Sequence, residues 1–258
     1  MSKIADAFKN GKAFIPFLTG GDPTLDVSKE IILEMQAQGA DLIEIGIPFS
    51  DPIAEGPVIQ EANERALSAG CTTDKLFDML LSIKDQMKVP MVFLTYVNPI
   101  FTYGPEKFMT RCNECGISGV IVPDLPFEEK GEIADVCKAH DIDMISLIAP
   151  TSNDRIKMIA KEATGYIYCV SSMGVTGVRN EITTDIAGMV SLVREVTDVP
   201  VAIGFGISTP EQAQKMASVS DGAIVGSAIV KLIGANGADS AAVVGKYVAD
   251  MKAAVMKA

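Results

Sequence analysis

The chain has little with which to bind a metal or build a disulfide framework. It holds one histidine, His140, and five cysteines, an odd number that cannot all pair. Cys71, Cys112, Cys115, Cys137 and Cys169 are therefore expected to be reduced thiols. Cys112 and Cys115 form a CxxC in the helix-like stretch KFMTRCNECG, but no second ligand pair accompanies it. Two helix residues one turn apart are the simpler reading, and no metal site is expected. Positive charge is scarce as well: 22 Lys and Arg stand against 33 Asp and Glu, for a net charge of -11. Nucleic acid and anionic membrane both require basic patches, so neither is expected as a partner. No apolar run approaches the roughly 18 residues of a membrane-spanning helix. The opening MSKIADAFKNGKAF lacks the apolar core of a signal peptide. It predicts a short amphipathic helix with Ile4, Ala7 and Phe8 on one side, and a cytoplasmic location is expected. Linkers, charge blocks and low-complexity tracts are missing too. The 258 residues, 48% of them hydrophobic, are accordingly expected to form one domain, 1–258.

What the chain does have is a recurring unit. A short apolar run is followed by polar, Gly or Pro residues and then by a stretch with helical spacing. The runs cover 13–19, 41–47, 91–96, 119–124, 143–149, 166–171, 201–205 and 222–227. Between the first two, Val27, Ile31 and Met35 recur every fourth position, and Gly39 is a natural stop. Ser152 or Asn153 can cap a helix into RIKMIAKEA, and Ser208 or Thr209 one beginning at PEQAQKMA. Alternating strands and helices imply a parallel sheet with right-handed crossovers. Eight such units predict an α/β fold of the (β/α)8 TIM-barrel type. It would carry an extra N-terminal helix and an inserted helix in the long interval after strand 2. A doubly wound open sheet is disfavoured by FLTGGDP after the first strand, where a G-x-G-x-x-G turn would be needed.

Side chains alternate along a strand. In LIEIGI, Leu42, Glu44 and Gly46 share one face and Ile43, Ile45 and Ile47 the other. The isoleucines suit the helix layer, so Glu44 points into the barrel, with Gly46 leaving space above it. No Arg or Lys stands on any other proposed strand, so a buried structural ion pair has few partners. A catalytic acid/base is the better reading, because burial raises a carboxyl pKa toward neutrality. Asp51 and Glu55 follow in a loop stiffened by Pro48, Pro52 and Pro57.

Three glycine clusters, GVTG (174–177), GFGIS (204–208) and VGSAIV (225–230), sit at the ends of the last three strands. Loops after the seventh and eighth strands of such barrels bind phosphate through backbone N–H groups. Gly206, Gly226 and Ser227 suit that arrangement.

The segments FLTGGDP, EIGIPFSDP, TYVNPI, VPDLP, GVTG, GFGIS and VGSAIVK, in this order, strongly resemble the tryptophan synthase α-subunit family over essentially the whole chain. The resemblance implies a lyase that cleaves indole-3-glycerol phosphate into indole and glyceraldehyde 3-phosphate. It implies no cofactor in this chain, and a pyridoxal-phosphate-dependent β subunit in an α2β2 complex that receives the indole. By position, Glu44 matches the catalytic glutamate and Tyr168 a tyrosine near the reacting carbons. Phe17, Leu94, Ile121 and Phe205 fall on the indole pocket. Gly177, Gly206, Gly226 and Ser227 match the phosphate binders, and Thr176 the threonine of the closing loop. Asp51, Pro52, Asn98 and Pro99 occupy loops that in the family face the β subunit or relay its state. One departure stands out. The second catalytic carboxylate is an aspartate in an A-D-G-P motif, and here the motif reads Ala54-Glu55-Gly56-Pro57, one methylene longer.

The implied chemistry is a retro-aldol step. Protonation at C3 makes the indole ring an electron sink, and the side-chain hydroxyl loses a proton as the C–C bond breaks. Glu44 would move the protons and Glu55 would accept from the indole N–H. Competing readings are a non-catalytic partner that activates a β subunit, a stand-alone indole-releasing lyase, and another phosphosugar enzyme on the same barrel. A Schiff-base aldolase lacks its inward strand lysine.

Overall fold

The computed structural model describes residues 3–170, 185–204 and 206–258. After a 3-10 turn at Lys3–Phe8 come β1 (Ala13–Thr19), α1 (Leu25–Ala37), β2 (Ile43–Gly46), α2 (Pro57–Ser68), α3 (Thr73–Ile83) and β3 (Met91–Leu94). Then follow α4 (Val97–Tyr103), α5 (Pro105–Cys115), β4 (Ile117–Ile121), α6 (Gly131–Ala139), β5 (Asp143–Met144), β6 (Ser146–Ile148) and α7 (Asn153–Lys161). The chain ends with β7 (Ile167–Val170), α8 (Ile186–Arg194), β8 (Val201–Gly204), α9 (Pro210–Ser218), β9 (Gly222–Val225), α10 (Ser227–Asn236) and α11 (Ser240–Val255).

Helix starts follow local chemistry. Thr24, Thr72 and Ser152 accept backbone N–H bonds at the beginnings of α1, α3 and α7. Thr209 and Gln212 form a reciprocal capping box at α9, with Pro210 in the first helical position. Such a cap contributes about 1 kcal/mol.

All strand pairs are parallel, in the order β5-β4-β3-β2-β1-β9-β8-β7-β6. The two ends of this order are consecutive in the chain. Residues 143–148 thus form one barrel strand that pairs with β4 through its first half and with β7 through its second. The result is the (β/α)8 barrel that eight apolar runs predict, with the fifth run divided at Ile145.

The alternation in β2 is the expected one. Ile43, Ile45 and Ile47 pack in the cluster between sheet and helices, and Leu42 lies in the smaller interior cluster. The interior is closed at the N-terminal end by Ile4 and Ala7. That segment is a 3-10 helix, whose i and i+3 side chains eclipse, so one short turn presents both residues to the barrel.

Some expectations are corrected. The third run ends its ladder at Leu94 rather than 96, and the fourth runs over Ile117–Ile121 rather than 119–124. Asn98 and Pro99 stand on helix α4, not in a loop. A proline in a first helical turn sacrifices no intrahelical bond. The carboxylate of Asp124 accepts from the N–H of Val97 at 3.0 and 3.2 Å and does the work of a cap.

Candidate active site

Glu44 is 1% exposed and points into the barrel at the level of Phe17 on β1 and Val92 on β3. Its one described side-chain hydrogen bond comes from the hydroxyl of Tyr166, donating to Oε1. Burial lifts the Glu44 carboxyl from 4.5 to about 8, and the Tyr166 bond opposes the rise. The group is therefore mostly protonated at pH 7 and close enough to its midpoint to release and retake a proton. Tyr168, two residues along and on the same inward face, packs against the interior cluster. Burial, then the Glu44 charge, pushes both phenols up, so each remains a neutral hydroxyl. Tyr166 was missed in the sequence, although its signal was there: residues two apart on a strand face the same way.

The space expected above Glu44 is occupied. A Cβ on Gly46 would lie 2.8 Å from Cζ of Phe17, and one on Gly204 would lie 2.3 Å from Oη of Tyr168. Both glycines admit an aromatic ring against the strand backbone.

Glu55 lies in the loop after β2 and is also buried, at 8% exposure. Asn63 of α2 donates to its Oε2 at 2.8 Å. Tyr96 hydrogen-bonds the same carboxyl and accepts from the N–H of Ala54 at 3.0 Å. Burial raises its pKa, with Asn63 and Tyr96 acting against the rise. Asn63 and Tyr96 escaped the sequence reading because they are brought to Glu55 by a turn of α2 and by the neighbouring strand. Phe17 joins the two carboxyls' surroundings: it is the register partner of Glu44 and packs with Ile59 and Ala62 of α2.

Of the apolar residues expected around the reacting ring, Phe17, Leu94 and Ile121 cluster at this end. Leu94 touches both the Phe17 group and the interior group that contains Ile121. Leu94 is half-buried, whereas Ile121 is wholly buried.

Gly206 and Gly226 follow the neighbouring strands β8 and β9. Gly206 has φ +83°, a conformation that favours glycine. Gly226 precedes α10, Ser227 is its first residue, and no side chain caps it. The N–H groups of Ile229 and Val230 bond the Gly226 carbonyl at 2.9 and 3.1 Å, which leaves those of Ser227 and Ala228 at the helix start beyond the C-terminal end of β9, a geometry that suits an anion. Thr176, Gly177 and Phe205 lie outside the described residues.

The loop that carries Asp51 and Pro52 is held beside the start of α4 on either side of them, by Phe49 and by the N–H of Ala54, both against Tyr96. The Phe49 and Tyr96 rings are 5.5 Å apart. Asp51 and Asn98 are exposed, as are Ile53 at 74% and Phe101 at 46%. All five cysteines are buried free thiols. Among the described residues, no group of three or more His, Cys, Asp or Glu could hold a metal ion, and no helix is long and apolar enough to cross a membrane.

Known proteins agree with this picture. The sequence profile of the family described as "Tryptophan synthase alpha chain" matches residues 4–257. A tryptophan synthase alpha chain of Lacticaseibacillus casei is 46% identical over 255 residues, covering 99% of this chain and 96% of the relative. One from Petrotoga mobilis is 47% identical over 253 residues, covering 98% and 96%. The solved tryptophan synthase subunit alpha of Legionella pneumophila superposes with a TM-score of 0.90 at 33% identity, covering all of both chains. A solved tryptophan synthase of Mycobacterium tuberculosis gives 0.89 at 30% identity, covering 99% of this chain and 98% of that one. With a profile match from end to end, and with relatives of nearly half-identical sequence and equal length, the chain belongs to the tryptophan synthase alpha chain family.

Proposed function

We propose that this chain cleaves indole-3-glycerol phosphate to indole and glyceraldehyde 3-phosphate, as the α subunit of tryptophan synthase in L-tryptophan biosynthesis. The observation that carries this reading is Glu44: an inward carboxyl, buried, held by Tyr166 and raised to about 8. Such a group, mostly protonated at neutral pH, donates to indole C3, and as a carboxylate it accepts the proton of the side-chain hydroxyl. The bond between the ring and the glycerol phosphate then breaks, leaving indole and the aldehyde. Tyr166 fixes the carboxyl, and Tyr168 lies against the reacting carbons.

Glu55 accepts from the indole N–H and stabilises the positive charge that grows there. Its extra methylene is taken up by the Asn63 and Tyr96 bonds, which hold the carboxyl at the loop's base. Phe17, Leu94, Ile121 and Phe205 enclose the ring. Gly177, Gly206, Gly226 and Ser227 bind the phosphate, and this binding, remote from the reacting bond, positions that bond. Thr176 closes with its loop over the site.

No step calls on a cofactor in this chain; pyridoxal phosphate belongs to the partner β subunit. That subunit docks on Asp51, Pro52, Asn98 and Pro99, where Ile53 and Phe101 offer exposed apolar surface, and an α2β2 complex results. The test is indole release from indole-3-glycerol phosphate by the purified chain, alone and with a β subunit. Turnover that the β subunit increases supports the reading; no turnover under either condition rejects it.

A further inference from the structure

The barrel wall is not hydrogen-bonded along the whole of its fifth strand. Asp143 and Met144 pair with Gly119 and Val120 of β4. The N–H of Ile145 continues to the carbonyl of Val120 at 2.9 Å. Ser146–Ile148 then pair with β7 and not with β4. Above Val120 the two strands part, leaving a seam in the C-terminal half of the wall.

A cavity of about 880 Å³ lies in this seam, with α6 and α7 on its two sides. Its lining includes both faces of the divided strand: Met144 and Ser146 outward, Ile145 and Leu147 inward. Ile145 and Leu147 also pack in the interior apolar cluster with Leu94, Ile121 and Tyr168. Cavity and barrel interior therefore share a wall one side chain thick. Glu44 and Phe17 are not part of the lining, so this space is separate from the active site described above.

A volume of this size is typical of small-molecule sites. Val122, Leu125 and Phe127 add apolar surface to Met144 and Leu147. The charges around it balance, with four Lys or Arg and four Asp or Glu, and Lys130 is ion-paired to Glu162 within the lining. No net field selects an ion. A neutral molecule with an apolar body brings no charge of its own to desolvate and can lie on the Val122, Leu125, Phe127, Met144 and Leu147 surface.

We propose that the seam cavity is a second binding site for indole, separated from the barrel interior by Leu147. The choice of ligand rests on the lyase reading, since indole is the neutral product released on the other side of that wall. The test is a methyl NMR titration of the full chain, labelled at methionine and isoleucine, with indole. Met144 reports the seam and Ile121 the interior. Expected is a saturable shift at Met144 in addition to that at Ile121. Ser146→Phe, which sets a ring beside Met144 in the place proposed for the indole, should abolish the Met144 response and spare that of Ile121. A soak of wild-type crystals with 5-bromoindole gives an independent readout, an anomalous peak beside Met144, should that variant fail to fold.

The proposal is overturned if Met144 stays silent at concentrations that saturate Ile121. A Met144 shift that survives in folded Ser146→Phe, or one produced equally by inorganic phosphate, overturns it too. Cleavage of indole-3-glycerol phosphate by wild type is measured in parallel. A chain that cleaves but leaves Met144 silent loses only the seam site. A chain that shifts Met144 but does not cleave keeps the seam site and loses the lyase reading.

Discussion

Replacing Glu44 by glutamine tests the chemistry and the fold together. Glutamine keeps the size of the side chain and can still accept from Tyr166, but it cannot ionise. The Glu44 carboxyl rises from 4.5 to about 8 in the folded chain, through burial. A raised acid holds its proton more tightly folded than unfolded. Its contribution to stability is complete below the unfolded value and is lost as pH rises toward the folded one. At about 1.4 kcal/mol per unit, a rise of about 3.5 units corresponds to roughly 5 kcal/mol lost across that window, of which about 3 is gone by pH 7. The variant loses none of it. Asp22 and Glu55 are also raised, but both proteins contain them and they cancel in the difference. Urea unfolding at pH 5 and pH 8.5, followed by circular dichroism, should therefore show similar midpoints at pH 5. At pH 8.5 Glu44→Gln should be the more stable by several kcal/mol. Its indole formation should fall at least about 10²-fold. A stability difference that does not change with pH would refute the idea of a buried carboxyl poised near neutrality. Near-normal turnover would remove Glu44 from the mechanism.

Four further outcomes can be checked. Gly226→Asp puts negative charge where the phosphate is proposed to sit, so calorimetric affinity for a glycerol-phosphate analogue should drop at least tenfold while the circular dichroism spectrum stays native; unchanged affinity moves the site elsewhere. Glu55→Asp should preserve or raise turnover, whereas Glu55→Ala should lower it about 10²-fold, the scale of losing one oxyanion-type or acid/base group; full activity in Glu55→Ala would make Glu55 a loop acid only. Gly204→Ala would place a methyl 2.3 Å from Oη of Tyr168, and overpacking of this kind costs about 1–3 kcal/mol; an unchanged urea midpoint would show that the ring moves freely. Titration with a β subunit should show binding that an α-site ligand strengthens, as coupled sites require, and no heat at micromolar concentrations would favour a stand-alone lyase.

Much of this protein is legible in its sequence, because strands and helices bury one face at a fixed period. Eight apolar runs separated by helical spacing are enough for the barrel, and the alternation in LIEIGI is enough to turn Glu44 inward. Capping residues such as Ser152 and Thr209 mark helix starts because their side chains bond only a few residues away. What is decided by tertiary structure involves partners distant in sequence. Tyr166 reaches Glu44 across 122 positions, and Asp124 caps α4 from another strand's loop, so neither bond leaves a local pattern. Phe17 fills the place above Gly46 because ring and glycine meet only once β1 and β2 are in register. The division of the fifth strand at Ile145 is of the same kind. The run 143–149 is continuous in hydrophobicity, and only the positions of β4 and β7 determine which neighbour each half can reach, and so where the wall opens.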